Sequence, residues 1–529
     1  MKKHRILLFL LPLLLAGPFA AMGQTVERVY VSTDRNAYVC GERVWFSLLC
    51  LGSDGRYSGE SAVSYLELIS EDGTALRTKA ALMEGRGAGS LTLPASLPTG
   101  NYRLVAYTGT RSVSMAGSRL LSIYNPFSTL RVSGDAVRID SLPPSPPAEG
   151  ACIGLMLADL GSGRAILECS RAASLSLSVY RRDGLSQLPL PSIEDFLSAR
   201  EELSSGEPEK DGEVIRGWVG RESEGAYVYL SSAGSPSDVF ISQVGPDGSV
   251  VFPTGNIHGD RELVCEVMDG AEGASVALES PFMAPDPGEI PSLVLSESLR
   301  GDLLARKKAL GIRLQIDTLS SFLPHREDLL YAGSDWEVYC LDDYVRFPTV
   351  QEVIREIVSG VRIGRYMGKP AFKVLVPNAT DNKRAVREHV LTLMDGVIIS
   401  DINLILNFDA MLLDRVEISR QPLIIGMTPY DGVLHFVTKN RYVTALAFPE
   451  SVRVVDFTGV SYPVAYYGAA PSEGADLRSL YYWDPLLSLE PGRVCEIPLA
   501  LPAGSYRLVA EGMDEEGNPV RCVLDRDIR

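Results

Sequence analysis

The chain has 529 residues, with 50 Lys and Arg against 67 Asp and Glu and a formal net charge of −17. That length suits several domains of roughly 150 residues each, and the acidic balance excludes a nucleic-acid binder built on clustered basic side chains. With 46% apolar and 8% aromatic residues, a mainly disordered chain is excluded too.

The N-terminus carries Lys2, Lys3 and Arg5, then the apolar run Ile6–Leu15 and the small-x-small triplet Ala21-Met22-Gly23. This is the pattern of a cleaved export signal over residues 1–23, and it predicts a mature chain beginning at Gln24. Pro12 and Pro18 interrupt the stretch, which falls short of the ~20 apolar residues a membrane span needs. No later segment offers a long uncharged apolar run.

Residues 24–127 read as a β-sandwich. Val29–Val31 and Val44–Leu49 are strand-like, with Asp34–Asn36 and Cys40–Glu42 as turn material between them. Ser64–Ile69, Gly89–Leu93 and Tyr102–Tyr107 follow as short runs. The last is announced by Leu97-Pro-Thr-Gly-Asn-Tyr-Arg-Leu-Val-Ala106, which recurs as Leu501-Pro-Ala-Gly-Ser-Tyr-Arg-Leu-Val-Ala510. Two copies so far apart imply two related sandwiches rather than a solenoid, whose repeats are contiguous.

Ser141–Pro147 is a Pro-rich linker. Residues 148–205 hold the alternating strand Leu175–Tyr180 and a helix over Ser192–Leu203, capped by Ser192. After the polar Ser204–Gly212, residues 213–288 return to β: Val214–Trp218, Ala226–Leu230, and a hairpin of Val239–Val244 with Ser249–Phe252 around Pro246-Asp-Gly248. Ser296–Leu310 is a connecting helix. Residues 325–440 break the pattern. Thr349 and Glu352 form a capping box, Val350, Val353, Ile354, Ile357 and Val358 make one apolar stripe, and Gly360 ends the helix. Strands Phe372–Val376, Leu391–Leu393, Arg415–Ser419 and Gly432–Thr438 complete a small α+β unit, and residues 441–529 close the chain as a further sandwich. The fold class expected is mainly β and multidomain, immunoglobulin-like or macroglobulin-like sandwiches with one small α+β domain.

Eight cysteines in an exported chain make disulfides feasible. None forms a C-x-x-C pair, and most sit among β-type residues, where Cys behaves as a small buried hydrophobe. The pairings to test first are Cys40–Cys50, Cys152–Cys169 and Cys495–Cys522. The mature histidines, His258, His325, His389 and His435, show no H-E-x-x-H spacing, and no G-x-S-x-G occurs. His435, inside an alternating strand, reads as a packing or surface residue. Adjacent acidic pairs such as Asp342-Asp343, Glu201-Glu202 and Glu515-Glu516 read as solvated charge. No metal, cofactor or catalytic residue is expected, and the chain is not expected to be an enzyme. Tyr481, Tyr482 and Trp483 are the binding candidates. They either form a stacking platform for a glycan or peptide, or Trp483 packs a sandwich core while Asp484-Pro485 turns the chain.

Tyr30–Asp34 through Tyr38–Phe46, closed by Leu97–Tyr102, resembles the second macroglobulin domain of the α2-macroglobulin family. Ile215-Arg-Gly217 with Val228–Leu230, Gly245–Gly248 and Phe252 resembles a carboxypeptidase-regulatory-like sandwich. Asp343–Val353, Leu393–Val397, Leu413–Ile418 and Asp431–Thr438 resemble the plug of TonB-dependent outer-membrane receptors. Only about 90 residues follow that plug-like segment, too few for a barrel of roughly 22 strands. Cys40-Gly-Glu-Arg43 is similar to the macroglobulin thioester motif, but Arg43 stands where the Gln that supplies the acyl group is required, and the segment reads as a turn. The resemblances imply a non-enzymatic binding or scaffold protein of the cell envelope, periplasmic or peripheral to the outer membrane or cell surface. They imply a protein partner in an outer-membrane transport or surface complex. The alternatives are a macroglobulin-like endopeptidase inhibitor, with Ser204–Gly212 as its cleavable segment, and a glycan-binding or carbohydrate-active protein.

Overall fold

The computed structural model describes residues 26–128, 137–141, 152–158, 163–201, 206–234, 238–316, 335–377, 384–425, 428–440, 443, 446–462, 466 and 476–529. The expected export signal therefore lies outside the described residues, as does the Pro-rich linker beyond Ser141. The described chain is built from strands in several sheets with few helices, the mainly β, multidomain class expected.

In the first sandwich the strand order is Glu27–Thr33, Arg43–Gly52, Arg86–Thr92, Gly73–Met83, Val63–Ser70, Gly100–Tyr107, Arg119–Tyr124 and Ala37–Val39. Only the last pair is parallel. Gly73–Met83 turns the corner: residues through Ala81 pair with Val63–Ser70, while Leu82 and Met83 pair with Arg86–Thr92. Its Thr, Arg and Lys content hid this strand from the sequence reading. Arg43–Gly52 is apolar on both faces because both are covered. Val44, Phe46, Leu48 and Cys50 enter the sandwich core. Trp45 packs outside with Tyr180 and Trp483, and Leu49 and Leu51 with Phe196 and Met513.

The expected units 148–205 and 441–529 are not separate. Strand Ala173–Arg181 lies between Leu480–Leu489 and Gly504–Asp514 in one five-stranded sheet, with Cys152–Ile153 and Pro519–Ile528 at its other side. Arg164–Cys169 pairs with Val494–Pro498 in the facing sheet. Within each segment only one pair of strands bonds to each other, Leu155–Ala158 with Arg164–Cys169 and Gly504–Asp514 with Pro519–Ile528. A two-stranded pair is marginal alone, so the two segments interleave into one discontinuous sandwich. The helix after it is shorter than expected, Ile193–Ser198, with Ser192 as its cap. The Arg28 guanidinium ends it by donating to the carbonyls of Phe196 and Ala199 at 3.3 and 3.2 Å.

The two copies of the repeat adopt the same corner. Tyr102 donates its hydroxyl to the Pro98 carbonyl at 2.8 Å, and Tyr506 donates to Pro502 at 2.5 Å. Both rings are buried, and each bond pins the Pro-x-Gly bend to its outgoing strand, the device of a tyrosine corner. Tyr102→Phe and Tyr506→Phe are each expected to cost about 1 kcal/mol, read as a lowered denaturant midpoint with an unchanged slope. An unchanged midpoint would show that the hydroxyl has no structural role.

The second sandwich packs Ser249–Pro253, Val214–Trp218 and Ala277–Leu278 against Asp238–Gln243, Tyr227–Ser232, Arg261–Met268 and Val452–Phe457. The expected hairpin around Pro246-Asp-Gly248 does not form as a ladder. Asp238–Gln243 pairs with Tyr227–Ser232, and Ser249–Pro253 pairs with Val214–Trp218. The turn instead carries the chain from one sheet to the other, because Val244, Val250 and Phe252 all point into the space between them. The last strand, Val452–Phe457, comes from the segment expected to belong to the C-terminal sandwich.

The α+β domain has the sheet order Trp336–Cys340, Leu413–Ser419, Gly432–Thr438, Val390–Met394, Val397–Ile398. Beside it is a ribbon of Val361–Tyr366, Lys369–Pro377 and Arg384–Arg387. The capping box on helix Val350–Glu356 is made as expected, and all five stripe residues are buried. Helix Arg300–Ile316 links this domain to the sandwiches. No helix of the described residues is long and apolar enough to cross a membrane.

Candidate functional site

A cleft of about 300 Å³ lies where the first and second sandwiches meet, lined by Tyr65, Arg77, Lys79, Glu209, Glu213, Phe282 and Phe457 among others. Alternation along Gly73–Met83 turns Lys79 inward, where its ammonium lies 3.9 Å from the Phe457 ring centre and within 6 Å of Tyr65 and Phe282. It donates to Glu213 Oε1 at 2.6 Å, and both side chains are about 1% exposed. The Tyr65 hydroxyl donates to Glu209 Oε2 at 2.8 Å, and the Val214 N–H to Glu209 Oε1 at 2.9 Å. Burial pushes Glu213 up to about 6 against the pull of Lys79. Burial likewise raises Glu209 and lowers Lys79.

Shifted carboxylates beside an amine are the raw material of acid–base chemistry. Here, however, their bonds run between the first sandwich, the 206–213 segment and the second sandwich, so the cluster is a joint between domains. Glu67 makes a neighbouring fastening. Its buried carboxylate accepts from the Tyr107 hydroxyl at 2.6 Å and from the N–H groups of Met283 and Ala284 at 3.0 and 2.9 Å, which pins the strap leaving the second sandwich.

Two further buried clusters hold the first sandwich. Glu511, on the C-terminal sandwich, accepts from Tyr30 at 2.5 Å and pairs with Arg119. Arg119 also donates to the carbonyls of Val31 and Pro191 at 2.6 and 2.8 Å. The third cluster contains the thioester look-alike. Gly41 takes a left-handed φ of +93° in the expected turn. Glu42 accepts from the Val39 N–H at 2.8 Å and pairs with Arg35 at 3.0 Å and Arg306 at 3.2 Å, which docks helix Arg300–Ile316. Burial pushes the Cys40 thiol up to about 12. These three charge clusters escaped the sequence reading because their members lie far apart in the chain. The only available signal was a charged residue interrupting an apolar strand.

The aromatic candidates do not form a surface platform. Trp483 is 5% and Tyr481 6% exposed. Trp483 packs against Trp45 and Tyr180, Tyr481 packs edge-on to Tyr506, and Tyr482 lies partly buried against the same core. Asp484-Pro485 is not a turn but a bulge inside Leu480–Leu489, where the Pro485 carbonyl accepts from Ser47 at 2.7 Å. The first part of the strand, Leu480–Trp483, is covered on both sides because the first sandwich docks on it.

The cysteine pairings also differ. Cys152 and Cys522, directly opposite each other on paired strands, form the disulfide. Cys40, Cys50 and Cys169 are buried free thiols, and Cys495 is a half-buried one. Proximity in sequence misled because the interleaved sandwich brings together strands 370 residues apart.

His435 is buried. Its Nε2 accepts from the Gly396 N–H at 3.0 Å, so its Nδ1 carries the proton toward Glu417 Oε2 at 2.9 Å. Burial alone would raise the Glu417 carboxyl, but the bonds from His435 and Arg415 outweigh it and hold the group at about 2. This chain of bonds fixes the Asp395-Gly396 turn, which makes His435 a packing residue. No group of three or more His, Cys, Asp or Glu side chains suited to a metal ion occurs among the described residues.

The α+β domain presents a different surface. The Arg346 guanidinium donates to the carbonyls of Ala410, Met411 and Leu413 at 3.1, 2.8 and 2.7 Å, tying loop 342–348 to loop 409–413. Around it Tyr344, Val345, Met411 and Leu412 are exposed, Val345 at 79%.

No family model matches the chain, and none of the curated proteins does. Among solved structures, the native conformation of E. coli alpha-2-macroglobulin is similar over 95% of this chain and 40% of its own, at 11% identity and a TM-score of 0.25. Salmonella alpha-2-macroglobulin reacted with methylamine is similar over 96% and 40%, at 12% identity and a TM-score of 0.25. Dimeric latent PorU from Porphyromonas gingivalis is similar over 51% and 34%, at 10% identity and a TM-score of 0.15. The chain spans about two-fifths of the length of the two macroglobulins.

Proposed function

We propose that the protein is a non-enzymatic binding or scaffold module of the cell envelope that engages a protein partner, one belonging to an outer-membrane transport or surface complex, through its α+β domain. The observation that carries this reading is the braced patch of Tyr344, Val345, Met411 and Leu412. Four large apolar side chains held rigid in water lose solvation free energy that contact with a partner recovers. Tyr344 and Val345 lie on a loop, where recognition residues concentrate, and Met411 and Leu412 on the single turn of 3-10 helix Ala410–Leu412. The plug-like resemblance of the segment containing Tyr344 and Val345 supports the envelope setting by fold analogy alone. The non-catalytic reading is supported by the engagement of Lys79, Glu209 and Glu213 in joining domains.

The inhibitor alternative needs an exposed cleavable segment between 204 and 212. Within it Glu209 is buried in the joint, which disfavours cleavage there. The glycan alternative loses its platform with the burial of Tyr481 and Trp483.

A photo-crosslinking residue at position 345, in the exported protein, is expected to yield one discrete protein adduct in envelope fractions. The same probe at Met83, equally exposed at 79% on the first sandwich, is expected to yield none. Absence of an adduct at 345, or the same adduct at both positions, would overturn the reading.

A further inference from the structure

We propose that strand Val361–Tyr366 is a docking edge that takes up an extended acidic segment of a partner protein as an added strand. The inference rests on the binding reading above and names the chemistry of the partner.

The strand is the outer member of the ribbon. It pairs only with Lys369–Pro377, and no described strand pairs with its other side. The two-residue turn Met367-Gly368 makes Tyr366 and Lys369 the closing hydrogen-bonded pair. Because hydrogen-bonded and non-bonded pairs alternate in an antiparallel ladder, Arg362 and Gly364 bond inward, and the N–H and C=O groups of Ile363 and Arg365 face the open side. Those groups are the template on which an added strand forms.

The chemistry of the edge is unlike that of the rest of the chain. Residues 361–389 carry seven Lys and Arg against two acidic residues, in a protein of net charge −17. Arg362 and Arg365 are exposed, and neither makes an ion pair with a carboxylate among the described residues. Charged edges are a common guard against pairing, but a guard of one sign also selects a partner of the other. The turn adds a second sign of use. Met367 and Asp395 occupy the same position in two-residue turns of this domain, with the same left-handed φ of +47°. Asp suits that conformation, and an unbranched apolar side chain does not. Met367 is nevertheless 86% exposed there, at the end of the open edge. A strained, exposed apolar residue at an edge is retained where it meets something.

Geometry fixes the partner further. Arg362 and Arg365 lie on opposite faces of the strand, three residues apart, so an added strand matches both with acidic residues at the same spacing. The probe is a fluorescein-labelled peptide of three Thr-Glu-Val repeats. Its control, three Pro-Glu-Val repeats, keeps the charge and cannot form a ladder.

Fluorescence anisotropy with the full mature protein is expected to show saturable, salt-weakened binding of the first peptide and none of the second. Ile363→Pro removes an outward N–H without touching the inner ladder, and it is expected to weaken binding about tenfold or more. Arg362→Glu with Arg365→Glu is expected to do the same. Hydrogen exchange keeps the test clear of folding defects: in the unaltered protein the Ile363 and Arg365 amides are expected to exchange freely and to slow when the peptide is bound. Equal binding of both peptides, undiminished binding by Ile363→Pro, or no binding at millimolar peptide would overturn the proposal. So would capture by phosphatidylglycerol vesicles without capture by the peptide. A crosslinked partner at position 345 alongside failure of the peptide would remove only the edge assignment and leave the binding reading standing.

Discussion

Glu511→Ala is expected to destabilise the protein by about 3–5 kcal/mol, because it strands the Arg119 guanidinium in a site with almost no water. Arg119 and Glu511 are 3% and 2% exposed, and the pair joins two sandwiches. The carboxylate also takes the Tyr30 hydroxyl, so Arg119 and Tyr30 lose a partner at once. Glu511→Gln keeps an acceptor for Tyr30 and removes only the charge, and it is expected to cost less. A combined Arg119→Met and Glu511→Leu variant removes both charges, and is expected to recover part of the loss relative to Glu511→Ala. Calorimetry is the measurement: a deficit of that size lowers the melting transition by about 10 °C in a domain of roughly 150–250 residues. Because the pair bridges two domains, the transition is also expected to split as they uncouple. A melting curve of Glu511→Ala that overlays the parent would show that the pair contributes nothing to the interface.

The second large effect concerns the joint between the first and second sandwiches, and it depends on pH. Lys79→Met leaves Glu213 buried without its cation, at an expected cost of about 3–5 kcal/mol near neutral pH. In the parent protein burial raises Glu213 from the ordinary 4.5 to about 6. A carboxyl whose folded value is raised contributes stability that is fully present below 4.5 and is lost as pH rises through 6. That share is about 2 kcal/mol. Denaturant unfolding from about pH 4.5 to 7 should therefore show this share declining in the parent, and Glu213→Gln should flatten it. In Lys79→Met the unpaired carboxyl takes up a proton more readily, so its deficit should shrink as pH falls. Identical pH profiles for the parent and Glu213→Gln would refute the assignment of the slope to this residue.

Much of the local structure was legible in the sequence. The capping box at Thr349 and Glu352, the apolar stripe that follows and the strand Gly432–Thr438 formed as read, whereas the helix ends at Glu356, short of the expected stop at Gly360. Each depends on neighbours within a turn or two of chain. The repeated Pro-x-Gly-x-Tyr bend was equally legible, and its two tyrosines make the same bond in both sandwiches. The strand Gly73–Met83 was missed because a strand that turns a corner buries different faces at its two ends, and its outer half is free to be polar.

The amino-acid sequence by itself determined the secondary structure of most units, the β-rich character of the chain and the places where it bends, because helix caps, strand alternation and turn chemistry act over a few residues. Only the tertiary structure decided which strands share a sheet, that Cys152 finds Cys522, that Trp483 is core, and that Lys79, Arg119 and Arg306 meet carboxylates from distant segments. The reason is physical: a strand's pairing edge and an ion pair's partner are chosen by the total surface removed from water, and that quantity is shared across the whole chain rather than written at any one position.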